Sequence, residues 1–172
     1  MTTNFSDQIH GAAFLLGDDV NTDLNCSSKY LPGKDEATIA AQAFEAVSPG
    51  FAKRFTEGGI IVAGKHFGIN SSREQAISVL RRMGVSAIVA PSFGRQFFRN
   101  AINNGLPVLE CDITGILEGD KVELNLLTHT LALPTRAITR PLRVMPAAIR
   151  AILREGGLLP FLEKHPTWEM PV

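Results

Sequence analysis

From Gly11 to Leu16 the chain is almost wholly apolar, which predicts a strand that runs into the polar turn Gly17-Asp18-Asp19-Val20-Asn21-Thr22-Asp23. After Pro32-Gly33, the apolar positions Ile39, Ala43, Phe44, Val47, Phe51 and Phe55 recur at near-helical spacing, and Pro49 splits this stretch into two pieces. Ile60-Ile61-Val62-Ala63 reads as a short buried strand that delivers the chain into the loop Gly64 to Ser72. From Arg73 to Met83, Ala76, Val79, Leu80 and Met83 repeat at three and four. Glu74 near the start and Arg81 and Arg82 near the end complement a helix dipole. Ala87 to Ala90 reads as another buried strand, and Ser92 is placed to cap a helix bearing Phe93, Phe97 and Ala101. Gly105 stops that helix before the strand Pro107 to Glu110. Val122 to Leu133 reads as two short strands around Thr128-His129, and Pro146 to Glu155 as a final helix closed by Gly156-Gly157. The centre is therefore β-α-β-α-β, which predicts an α/β fold with a mainly parallel sheet and functional loops at the strand ends.

Composition narrows the function. The 172 residues suit one domain, expected over 1–172, and 45% are hydrophobic and 20% charged, as in an ordered globular chain. Lys plus Arg and Asp plus Glu are 17 each, so no net field concentrates a polyanion, and neither nucleic acid nor a membrane surface is an expected partner. The longest apolar runs, Gly58 to Gly64 and Gly156 to Leu162, fall far short of the ~20 residues that span a bilayer. The first ten residues do not read as a secretion signal. Cys26 and Cys111 are too few and too far apart for a zinc site or a disulfide framework, which points to a reducing compartment, the cytoplasm. No metal site is expected, since His10, His66, His129 and His165 show no ligand spacing.

The chemistry concentrates at Gly68 to Arg73. A strand-to-helix loop presents free backbone N–H groups at a helix N-terminus, where the dipole favours an anion. Arg73 can grip a carboxylate through two parallel hydrogen bonds, and Ser71 and Ser72 can donate to a bound group. The simpler alternative is that Ser71 or Ser72 caps the helix.

The stretch Gly64-Lys65-His66-Phe67-Gly68-Ile69-Asn70-Ser71-Ser72-Arg73-Glu74-Gln75-Ala76 resembles the G-x-N-F-G-C-G-S-S-R-E-H/Q-A signature of the swivelling domain of the aconitase superfamily. It is similar in particular to the family of separate small subunits of 3-isopropylmalate dehydratases. Asp19-Val20-Asn21-Thr22-Asp23, followed by Tyr30-Leu31, and the stretch from Ala90 to Pro107 agree with that family in order and spacing, so the resemblance covers nearly the whole chain.

The resemblance implies a single swivelling β/β/α domain of aconitase type that works only with a large subunit carrying a [4Fe–4S] cluster. Two distant cysteines cannot ligate such a cluster, so none is expected on this chain. The implied reaction is reversible dehydration of a hydroxy diacid of malate type, 3-isopropylmalate foremost. By the same resemblance Ser71 is the base, Ser72 a substrate donor and Arg73 the carboxylate clamp, with Thr22 and Asp23 beside the site. Gly68, Ile69 and Asn70 shape the loop, and Tyr30, Leu31, Pro32, Gly33 and Lys34 lie where the family reads the substrate's side group. Arg95 and Arg99 are candidates for the subunit interface or for loop positioning.

Three positions depart from the signature: Ile69-Asn70 replaces Cys-Gly, and His66 replaces Asn. Asn tolerates a left-handed backbone best after Gly, so the loop shape is expected to survive. Related hydro-lyases acting on methylated malate, citramalate or homocitrate types stay open, as does a paralogue that binds a diacid without chemistry. His66 is read as a hydrogen-bonded loop residue.

Overall fold

The computed structural model describes residues 6–70 and 72–167. Its strands are β1 (Gln8–Leu16), β2 (Ile60–Ala63), β3 (Ala87–Ala90), β4 (Val108–Glu110), β5 (Lys121–Asn125), β6 (Thr130–Leu133) and β7 (Ile138–Pro141). The helices are α1 (Glu36–Ala41), α2 (Phe51–Arg54), α3 (Glu74–Arg82), α4 (Arg95–Asn103), α5 (Ala147–Arg154) and α6 (Leu158–Lys164).

One sheet joins the strands in the order β4-β3-β2-β1-β5-β6-β7. The β1–β2, β2–β3 and β3–β4 pairings are parallel, as the β-α-β-α-β reading requires. The β1–β5, β5–β6 and β6–β7 pairings are antiparallel, so the sheet is mixed where the sequence pattern suggested a mainly parallel one. β1 makes the join: Gln8 to Ala12 pair with β5, and Ala13 to Leu16 pair with β2.

Side-chain burial follows from this division. β2 and β3 are buried at every position, the pattern of parallel strands covered on both faces. β5 alternates exposed and buried, the mark of an antiparallel strand with one wet face. The hydrophobic core is one continuous cluster, and it includes Phe14, Phe44, Phe51, Phe67 and Phe97.

Three sequence readings need correction. β7 was invisible because Ile-Thr-Arg-Pro is short and half wet, and it lies at the sheet edge, where Pro141 costs no ladder bond. The helix before Gly156-Gly157 is not the last: α6 follows, with Pro160 tolerated in its first turn and Phe161 buried. Ser92 does not cap α4, whose N-cap is Gly94. Its hydroxyl instead accepts from the backbone N–H of His66 at 2.9 Å.

Because β1, β2 and β3 are parallel neighbours, the loops leaving their C-terminal ends lie side by side. This is the edge where open α/β sheets gather their ligands.

Candidate functional site

The loop after β2 is held from both sides by hydrogen bonds to its backbone. On the β1 side, Lys65 N–H donates to Asp18 Oδ1 at 2.7 Å, Asp19 N–H to the Lys65 carbonyl at 2.8 Å, and Gly68 N–H to the Val20 carbonyl at 2.8 Å. On the β3 side, Phe67 N–H donates to the Ser92 carbonyl at 3.1 Å and Gly94 N–H to the Phe67 carbonyl at 2.8 Å. The Phe67 ring is buried and lies 5.2 Å from Phe97 and 6.3 Å from Phe93, so the loop is anchored by packing as well.

Gly68 is required by this packing. Its φ is +77°, and a Cβ there would lie 2.2 Å from Phe97 Cγ. Gly94 answers it from the opposing loop, where a Cβ would lie 2.4 Å from the Gly68 carbonyl oxygen.

Beyond Gly68, Ile69 is half-buried and Asn70 is exposed with φ 55°, the left-handed conformation expected of it. Ser71, the expected base, lies outside the described residues. Ser72 is exposed, and its carbonyl accepts from Asn100 Nδ2 at 2.9 Å. Arg73 takes the N-cap position of α3 with extended backbone and makes no side-chain cap bond, so Ser72 does not play the capping part open to it in the sequence. The N-terminus of α3 thus starts at an exposed guanidinium, and the helix dipole and the arginine charge together favour a carboxylate.

Asp23 supplies the counter-charge. Its Oδ1 is 3.9 Å from Arg73 Nε, an ion contact longer than a hydrogen bond, and the residue is 7% exposed. It is held by nested turns: Asn21 Oδ1 accepts from Asp23 N–H at 3.0 Å, and the Asp23 carbonyl accepts from Ser27 Oγ at 2.6 Å. Thr22 is fully buried, and its Oγ1 has no hydrogen-bond partner among the described residues. An unsatisfied buried hydroxyl costs free energy.

The turns from Tyr30 to Lys34 follow directly. Leu31 packs on the core, while Pro32, Gly33 and Lys34 are exposed, with Gly33 at φ 74°. The base of this segment is tied to α3, since Ser28 N–H donates to Gln75 Oε1 at 2.8 Å. Arg95 and Arg99 are exposed on α4 and line a cleft of about 400 Å³.

Several contributors were not singled out as site residues by sequence reasoning. Asn100 holds Ser72, Gln75 ties α3 to Ser28, and Asp19 Oδ1 lies 2.9 Å from His66 Nδ1, a hydrogen-bond partner for that loop residue. Asn100 carried a signal: a poor helix former placed three residues after Phe97, on the face that looks toward the loop.

The two cysteines lie apart in the fold, Cys26 in the turns after Asp23 and Cys111 just past β4. Burial pushes both thiols above their ordinary range. Among the described residues, no group of three or more His, Cys, Asp or Glu side chains is placed to hold a metal ion. This donor set does not fit an iron–sulfur cluster. Nor is any described helix long and apolar enough to cross a membrane.

The family model of the aconitase C-terminal domain matches residues 28–112. A 3-isopropylmalate dehydratase small subunit from Methanosarcina acetivorans is 43% identical over 157 residues, covering 91% of this chain and 97% of the relative. A protein of the same name from Pyrobaculum neutrophilum is 44% identical over 161 residues, covering 91% and 97%. Among solved structures, 3-isopropylmalate dehydratase from Methanocaldococcus jannaschii superposes with a TM-score of 0.84 at 36% identity, covering 93% of this chain and 96% of that one.

Proposed function

We infer the function of this chain from its family: it belongs to the small subunits of 3-isopropylmalate dehydratase, built on the aconitase C-terminal domain. It is the small subunit of a hydro-lyase that interconverts 3-isopropylmalate and 2-isopropylmalate in leucine biosynthesis. The observation that carries this reading is the placement of Arg73 at the start of α3, beside the buried Asp23, on a loop pinned by Asn100.

In this reading Arg73 clamps one carboxylate of the diacid through paired N–H donors, while Asp23 holds the guanidinium in position. Ser71 takes the proton from carbon as the neighbouring C–O bond breaks and hydroxide leaves, and it returns the proton to carbon when hydroxide re-adds. A serine is a weak base, and the dipole of α3 with the charge of Arg73 stabilises its oxyanion once water is excluded. Ser72 donates to the substrate, and the buried Thr22 hydroxyl is a further donor at the floor of the site. The segment Tyr30 to Lys34 reads the apolar side group. The left-handed Asn70 keeps the loop shape that glycine provides elsewhere in the family, which favours a catalytic chain over a diacid-binding paralogue.

The [4Fe–4S] cluster belongs to the large subunit, and no step involving it falls to residues of this chain. The chain acts as one swivelling unit that closes over the large subunit's site, in the cytoplasm.

The test is anaerobic co-purification with a cluster-bearing large subunit, followed by hydration assays across isopropyl-, methyl- and unsubstituted unsaturated diacids. Turnover of the isopropyl substrate that is abolished by Ser71→Ala, with assembly intact, is the expected result. An iron-replete complex inactive across the panel would overturn the catalytic reading, and a preference for another diacid would overturn the substrate assignment.

A further inference from the structure

We propose that the cleft between α4, the end of β4 and residues 143–149 binds a small organic acid with an apolar body, at a site separate from the serine-arginine loop. The cleft has a volume of about 400 Å³, and Phe93, Phe98, Val108 and Ile149 form much of its lining. That is the size and chemistry of a small-molecule pocket, in which apolar walls supply burial and a few polar groups set orientation.

The polar lining holds three arginines, Arg95, Arg99 and Arg143, against one carboxylate, Glu110. Arg95 and Arg99, one helical turn apart, make no ion pair and no side-chain hydrogen bond with any described residue. Arg143, at the same cleft, is already ion-paired with Glu110. One wall therefore carries two unmatched guanidiniums beside an apolar lining. A carboxylate satisfies both through paired hydrogen bonds while its hydrocarbon body covers the rings. A neutral apolar ligand leaves the arginines unused, and a diacid forces its second carboxylate against Phe98 and Ile149 at a desolvation cost. A protein partner needs a broader footprint, about 800 Å² per side, than this concave cleft offers.

The site is distinct from the one described above, although they share a helix. Phe97, packed against Gly68, and Asn100, bonded to Ser72, lie on a different face of α4 from Phe98 and Arg99. Because the ligand binds this chain alone, the test does not depend on hydro-lyase activity.

The experiment is a titration of the full isotope-labelled chain with 3-phenylpropionate, followed by backbone amide shifts, with 3-phenylpropionamide and acetate as controls. Saturable shifts centred on Leu109, Val144 and Ile149 are expected for the acid, with weaker binding of both controls. The double variant Arg95→Gln/Arg99→Gln, changed at exposed positions that leave the core untouched, should weaken binding about tenfold. No saturable shift up to the solubility limit, equal binding of the amide, or shifts centred on Arg73 would each overturn the proposal. Stoichiometric displacement of the acid by the large subunit would also overturn it, by assigning the cleft to the subunit interface.

Discussion

Asn100 Nδ2 donates to the Ser72 carbonyl at 2.9 Å, so the middle of α4 holds the segment that precedes Arg73. The bond ties a helix to the loop that follows β2 and makes the position of the guanidinium depend on a residue that touches no substrate.

Asn100→Ala should therefore lower kcat/KM of the assembled enzyme by about tenfold while reducing stability by only about 1 kcal/mol, the net worth of one hydrogen bond. Steady-state kinetics beside urea unfolding would separate the two. If activity falls no more than stability accounts for, the positioning role is wrong.

Gly68→Ala should destabilise the chain by roughly 2–4 kcal/mol, because the new methyl meets Phe97 and the backbone is left-handed. Phe97→Leu in the same chain should restore only part of the loss, since the conformational strain remains. By contrast, Asn70→Gly should be tolerated, as φ 55° suits glycine. Urea midpoints of the three variants test this, and a neutral Gly68→Ala would contradict the geometry.

Arg73→Lys keeps the charge but loses the planar fork, so the KM for the diacid should rise about ten- to hundredfold. Asp23→Asn should have a smaller effect on KM, because it acts through the orientation of Arg73 across 3.9 Å. An unchanged KM for Arg73→Lys would remove the carboxylate clamp from the mechanism.

Burial raises the Cys26 thiol well above its ordinary value of 9.0, so the folded chain holds this proton where the unfolded chain releases it. The contribution is fully present below pH 9 and is lost as the pH rises toward the folded value, since there the native state binds more protons than the unfolded one. Stability should decline above about pH 9, with a shallower decline in Cys26→Ala. Denaturant midpoints against pH give the slopes, and identical slopes for both chains would contradict the assignment. The native thiol should also resist maleimide until the chain unfolds.

Local pattern was enough for the parallel half of the fold. The continuous apolar runs Ile60 to Ala63 and Ala87 to Ala90, alternating with the amphipathic α3 and α4, specify buried parallel strands and crossovers because each element shows its own periodicity. The same holds for the loop Gly68 to Arg73, where a strand must hand over to a helix, and for Asn70, whose left-handed backbone follows from residue chemistry.

What tertiary structure decided are the relationships between segments distant in the chain. No periodicity announces that β1 pairs with β5 on one half and β2 on the other, because either pattern of pairing buries the same apolar face. Ser92 has a capping residue's chemistry, and only the approach of the β2 loop makes it an acceptor for His66 instead. Asp23 and Arg73, Gln75 and Ser28, Asn100 and Ser72 meet because parallel strands end at one edge of a sheet. These meetings arise from packing across loops, which the order of residues along a single segment does not encode.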